Sequence, residues 1–278
     1  MNLLASLPTV IGTAAIAPAL LILWLVIAAD ERPGPAPKIW SAFLLGAASI
    51  SLLGIVRAPF LRILAAPENP WAAQALHSVF GVALPEETVK ILVIFAISAR
   101  RRRFADPMDT VVYGAAAGLG FAAYENLAYL VQHADMWRAL AALRSVLTVP
   151  FHGALGIIAG AYLAIARSGT ALGAHRLHRD WARISSWMLV LLAPLGLHAA
   201  FDWGETFLYS VPDSGLVAPG HLLNSSLHGR AWLTGGMVGP EGSVMSFMVV
   251  GITAIIFVLV YPKSHSTTKI QAGESPSV

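Results

Sequence analysis

The apolar positions of this chain gather into long runs separated by short polar connections. A helix that crosses a bilayer needs about 20 mostly apolar residues. Seven stretches meet that length, at residues 7–29, 39–65, 74–99, 109–131, 146–167, 187–209 and 244–261. The pattern predicts an all-α protein, a polytopic transmembrane bundle of about seven spans. The second run contains Arg57 and Pro59, so its far half reads equally well as an interfacial segment. The first run lacks a basic leader and is too long for a signal peptide, and it reads as an anchor.

Composition agrees with burial in lipid. The chain is 56% hydrophobic and 12% charged, about half the ~25% charged share of a soluble domain. There is no cysteine, which excludes disulfides and thiolate metal sites. No basic patch interleaved with aromatics points to nucleic acid. Residues 1–262 read as one bundle and 263–278 as a short polar tail. No internal repeat of the kind found in transporters is evident.

Charge placement gives an orientation. One side holds twelve basic residues: Arg32, Lys38, four arginines at 100–103, Arg167, Arg176, Arg179, Arg183, Lys263 and Lys269. The other side holds five, namely Arg57, Arg62, Arg138, Arg144 and Arg230. The positive-inside rule then predicts an external N-terminus and a cytoplasmic C-terminus.

Several ionisable residues fall inside the runs. A charge at mid-membrane costs at least ~2.5–3.5 kcal/mol on insertion scales, so such residues face a bundle interior or wet cavity and default to function. They are Glu86, Glu87 and Lys90 in the third run, Glu125 in the fourth, His152 in the fifth, and His198, Asp202 and Glu205 in the sixth. Glu86 and Glu87 stand four and three residues before Lys90, so either can reach its ammonium on one helix face. Two adjacent carboxylates cannot point the same way, so one is left to face a reactant. Pro85 removes a backbone hydrogen bond just before them and predicts a kink. His198 and Asp202 are four apart on one face, where a carboxylate fixes an imidazole's tautomer. Glu125 and Tyr129 make another such pair. Glu205 reads as solvated near the outer interface. Counting at 1.5 Å per residue places Glu125 ~24 Å and His198 and Asp202 ~16–22 Å from the cytoplasmic end, and His152 ~9 Å from the outer end. The polar groups of four helices thus agree in depth, in the middle and outer part of the membrane. Gly114 with Gly118, and Gly156 with Gly160, supply GxxxG spacing for close packing.

Four segments, Pro85–Lys90 (PEETVK), Gly120–Tyr129 (GFAAYENLAY), Phe151–Gly156 (FHGALG) and His198–Asp202 (HAAFD), together resemble the PrsW family of intramembrane proteases. Distant relatives are the type II CAAX prenyl endopeptidases. The resemblance implies a peptidase with a catalytic core at about 74–209, in a bacterial cytoplasmic membrane, acting on a single-pass membrane protein such as a membrane-anchored regulator. It carries the paired acids onto Glu86 and Glu87, the second acid onto Glu125, and the two histidines onto His152 and His198. Asp202 follows the last histidine.

Peptide hydrolysis needs an activated water, an oxyanion stabiliser and a proton donor. Two versions of that chemistry stay open. In one, His152, His198 and Glu125 ligate a metal, most simply zinc, with Glu86 as base. In the other no metal takes part: Glu86 activates water with help from His152, while His198 and Asp202 bind the oxyanion. Buried acids also suit an ion- or proton-coupled transporter, and a non-catalytic scaffold of the same fold is the third reading.

Overall fold

The computed structural model describes residues 7–66, 68–98, 107–168 and 176–209, with shorter pieces between 211 and 248. The seventh expected span, 244–261, lies outside the described residues apart from isolated positions, as do the arginines at 100–103. Every regular element among the described residues is helical. In chain order these are α1 (Leu7–Ala29), α2 (Ala36–Ser49), α3 (Leu53–Arg57), α4 (Leu61–Ala65), α5 (Pro70–Leu76), α6 (Leu84–Ser98), α7 (Pro107–Gln132), α8 (Trp137–Val146), α9 (Thr148–Ser168), α10 (Arg176–Asp202) and α11 (Ala231–Thr234).

Among the described residues, four stretches are long and apolar enough to cross a membrane: Leu7–Ala29, Ala36–Ala65, Trp137–Arg167 and Ile184–Thr206. The stretch around Arg57 and Pro59 is irregular. Tight 3-10 turns at Ile50–Leu52 and Ala58–Phe60 divide it into α2, α3 and α4. The irregularity expected before Pro85 takes the form of a π-helical turn, His77–Ala83, with the amide of Leu84 donating to the carbonyl of Val79. A second π-helical turn, Trp203–Leu208, follows Asp202 and was not anticipated. π-Turns of this kind concentrate at functional sites. The second is tied to α5, which leads into the first, where Gln74 Nε2 donates to Thr206 Oγ1 at 3.0 Å.

The bundle is organised around α7. Every residue from 109 to 123 is buried, as expected for a helix apolar around its whole circumference. One cluster, including Leu23, Phe43, Val112 and Leu119, joins α7 to α1 and α2. A second, including Ile94, Ala117, Leu163 and Val190, joins it to α6, α9 and α10. Large side chains such as Trp24, Leu44, Ile55, Met188 and Leu197 stay exposed on the outside, the face a bilayer covers.

Glycine sets how closely α7 approaches its neighbours. A Cβ on Gly114 would collide with the carbonyl of Gly156, and one on Gly118 with the carbonyl of His152. On the opposite face, Gly120 lies against the carbonyl of Phe43 and Gly46 against that of Ala117. Small residues at such crossings let backbones touch where lipid offers no hydrophobic drive for association. Gly118→Ala is therefore expected to push α9, and His152 with it, away from α7. Overpacking of this kind costs about 1–3 kcal/mol. Gly196, whose Cβ position meets nothing within 4 Å, is the control, because Gly196→Ala should be neutral or stabilising. Thermal unfolding of the detergent-solubilised protein checks both. Equal midpoints for the two variants would refute the close-approach role of Gly118.

Candidate active site

The six candidate residues arrive from four helices. α6 begins at Leu84 and puts Glu86 and Glu87 in its first turn with Lys90 one turn on. Adjacent acids diverge by ~100° around a helix, so Lys90 meets them unequally. Its Nζ lies 2.8 Å from Glu87 Oε1 and 3.5 Å from Glu86 Oε2. The ammonium also lies 2.8 Å from His152 Nδ1 on α9 and 4.2 Å from the centre of the Phe121 ring on α7. Only 1% of Lys90 is exposed, so its charge depends on these partners.

The imidazoles of His152 and His198 face each other, centroids 5.4 Å apart and planes at 72°. Phe121 packs edge-on to His152, and Phe151 edge-on to His198, so the pair sits in an apolar wall that strengthens every polar contact inside it. His198 Nδ1 lies 2.7 Å from Glu87 Oε1, while its Nε2 faces Asp202 Oδ2 at 3.7 Å and Glu86 Oε2 at 4.0 Å. A carboxylate only accepts, so Glu87 holds His198 with the proton on Nδ1 and Nε2 turned toward Glu86 and Asp202. His152 Nε2 lies 3.1 Å from Glu125 Oε2, and the same oxygen accepts from Arg144 at 2.7 Å.

One carboxylate and two imidazoles converge. Glu86, His152 and His198 each offer a ligand atom within 4.8 Å of the others, and all three are buried. Zinc bonds to nitrogen and oxygen at ~2.0–2.2 Å, so a small contraction closes this set around an ion. The donors are those of a hard-to-borderline cation. Lys90 pairs with Glu86 and Glu87, and Arg144 with Glu125, so the cluster already holds two fixed cations among its acids.

Comparison with known proteins identifies the arrangement. The model of a family described as PrsW family intramembrane metalloprotease matches residues 34–231. The chain belongs to the PrsW family. Protease PrsW of Oceanobacillus iheyensis is 29% identical over 191 residues, covering 69% of this chain and 80% of that protein. Protease PrsW of Bacillus subtilis is 28% identical over 197 residues, covering 70% and 83%. That of Geobacillus kaustophilus is 29% identical over 192 residues, covering 69% and 77%. No solved structure matches the chain significantly. This PrsW-family chain is accordingly an intramembrane peptidase, and an integral membrane protein.

The structure adds detail to several of these sequence expectations. Glu125, expected to join the histidines as a ligand, lies 3.1 Å from His152 and is also paired with Arg144, while Glu86 is the carboxylate grouped with both histidines. Arg144, counted among the outer-side basic residues, is 2% exposed inside the bundle. Tyr129, expected to pair with Glu125, lays its ring 3.9 Å from the Arg144 guanidinium. Glu205 is only half-buried, but its Oε2 is shielded from solvent. Asn126, fully buried beside Glu125, was not singled out. The adjacent polar pair Glu125–Asn126 in an apolar run was the available signal.

The Lys90–Glu87 pair generates a stability prediction. Removing one partner of a buried ion pair costs about 3–5 kcal/mol, whereas replacing both by apolar groups is often close to neutral. Glu87→Leu should lower the unfolding midpoint markedly, and Glu87→Leu with Lys90→Met should recover much of the loss. Glu68→Gln, at an exposed position, should do nothing. An unchanged midpoint in Glu87→Leu would mean that Lys90 re-pairs fully with Glu86.

Proposed function

We propose that this chain hydrolyses a peptide bond of a membrane-anchored protein near the extracytoplasmic face of a bacterial cytoplasmic membrane. We further propose that a metal ion, most simply zinc, is held by Glu86, His152 and His198. The observation that carries the metal reading is the convergence of these three buried donors. The description of the family as intramembrane metalloproteases supports it. When bound, such an ion supplies Lewis acidity and an acidified water.

The chain's own groups supply the rest. Glu87 orients His198 through Nδ1, and Glu125 orients His152 through Nε2, as carboxylate partners of metal-binding histidines do. Lys90 holds Glu87 and places a positive charge where an oxyanion can develop. Asp202, beside His198 Nε2, is placed to exchange a proton with the leaving amine. In the metal-free alternative, Glu86 activates water with help from His152, while His198 and Asp202 bind the oxyanion.

The remaining parts of this reading rest on sequence. Seven spans with the N-terminus outside fit the distribution of basic residues, and moving Arg144 into the bundle sharpens that asymmetry. Residues 1–262 then form one bundle with a core at about 74–209. A single-pass substrate fits a site reached from the bilayer. Cleavage on the outer side follows from the depth of the four motifs.

Two measurements test the proposal. Elemental analysis of purified protein should find about one metal ion per chain. Glu86→Gln, His152→Ala and His198→Ala should each lose it, while Glu125→Gln should keep it with affinity lowered roughly 10–100-fold. If the pure, active enzyme carries no metal and ignores strong chelators, the metal reading falls and the glutamate mechanism replaces it. Separately, cleavage of single-pass substrates in vesicles should map near the outer interface. Cuts confined to the cytoplasmic side would overturn the orientation.

A further inference from the structure

The charge network has an arm that the proposed chemistry leaves without a task. Arg144 comes from α8, the short helix between α7 and α9, and is among the most completely buried large side chains. Its terminal nitrogen donates to Glu125 Oε2 at 2.7 Å, and its Nε donates to Asn126 Oδ1 at 3.2 Å. Its guanidinium lies over the Tyr129 ring at 3.9 Å. Asn126 in turn donates from Nδ2 to the carbonyl of Ala15 on α1 at 3.1 Å. Residues of α1, α7 and α8 thus converge on the placement of a single guanidinium.

What this placement fixes is visible at Glu125 Oε2, the oxygen that Arg144 shares with His152. A guanidinium only donates and cannot be deprotonated in a protein, so the group it pairs with is a carboxylate. A carboxylate only accepts, so the proton between Glu125 and His152 belongs to Nε2. The other ring nitrogen, Nδ1, is then left with its lone pair and accepts from Lys90 Nζ at 2.8 Å. Lys90 is also the partner of Glu86 and Glu87, so this lone pair is turned toward the trio.

We propose that Arg144 is a positioning residue: by holding the Glu125 carboxylate it locks His152 in the Nε2–H tautomer, with the Nδ1 lone pair presented to the site. The proposal deepens the reading of His152 as a site residue and rests on that reading for its functional meaning. A guanidinium needed only to seat α8 would not have to share an oxygen with an imidazole of the site.

The tautomer is directly observable. The full chain, labelled with 15N-histidine and reconstituted without metal in phosphatidylcholine vesicles at neutral pH, is examined by solid-state NMR. The His152 signals are assigned by their absence in His152→Gln. The wild type should show a protonated Nε2 and a bare Nδ1. In Arg144→Gln this single form should give way to a mixture, Arg144→Lys should restore it in part, and Glu125→Gln should cause the same loss. Adding Arg144→Gln to Glu125→Gln should change nothing further, because Arg144 acts through Glu125. A wild-type His152 protonated at Nδ1 overturns the proposal, as does an unchanged tautomer in folded Arg144→Gln. If Arg144→Gln does not fold, an unchanged tautomer in Glu125→Gln overturns it equally. The readout needs neither metal nor substrate. Failure of the metal or protease reading therefore shows up in elemental analysis and cleavage assays, and failure of this one in the spectra.

Discussion

Buried charge must be compensated, and in this bundle that requirement ties four helices together. Lys90, with 1% of its surface exposed, cannot be solvated, so it draws Glu86, Glu87 and His152 around its ammonium. Glu87 then reaches His198, and His152 reaches Glu125. Each link crosses from one helix to another: α6 to α9, α6 to α10, α9 to α7. Breaking any one leaves an ion or a polar group without a partner in a medium that offers no water in exchange. The groups proposed to carry the chemistry are thus also the groups whose mutual satisfaction fixes helix positions.

Close packing is what makes the network reachable. A histidine on α9 meets a glutamate on α7 at 3.1 Å only if the two backbones nearly touch. Gly114, Gly118 and Gly156 permit that contact, with Gly118 directly against the His152 carbonyl. On the other side, Gly46 and Gly120 bring α2 equally close. α7 therefore works as a spine of small residues between two layers. Its many glycines and alanines, with Asp109, Glu125 and Asn126, give it a lower hydropathy than a lipid-facing span, and it is absent from the four apolar stretches.

The network has two shells with different work. The inner one, Glu86, His152 and His198, gathers donors for an ion. The outer one, Glu87, Glu125, Arg144 and Asn126, holds the imidazoles at chosen nitrogens and ties the site to α1 and α8. One π-helical turn leads into α6 before Glu86 and the other follows the end of α10 after Asp202. The hydrogen bond from Gln74 of α5 to Thr206 links the segments that flank the site.

The sequence alone determined the solvent and the secondary structure, because long apolar runs with few charges leave a helix as the way to satisfy the backbone in lipid. It also exposed the residues that pay to be there: Glu86, Glu87, Lys90, Glu125, His152, His198 and Asp202 are conspicuous because charge inside such a run is costly. Spacing within one helix was legible too, as in the reach of Lys90 to both glutamates. Contacts between helices were not, since rotation about each axis and the exact approach of neighbours leave no periodic trace. The tertiary structure therefore decided that Glu86 comes within reach of both histidines while Glu125 meets His152 and Arg144, and that Arg144 turns inward from a short connecting helix rather than facing water. An arginine at the edge of an apolar run is equally consistent with an interfacial charge and a buried counter-ion. Only the position of Glu125 and Asn126 across the bundle tells them apart.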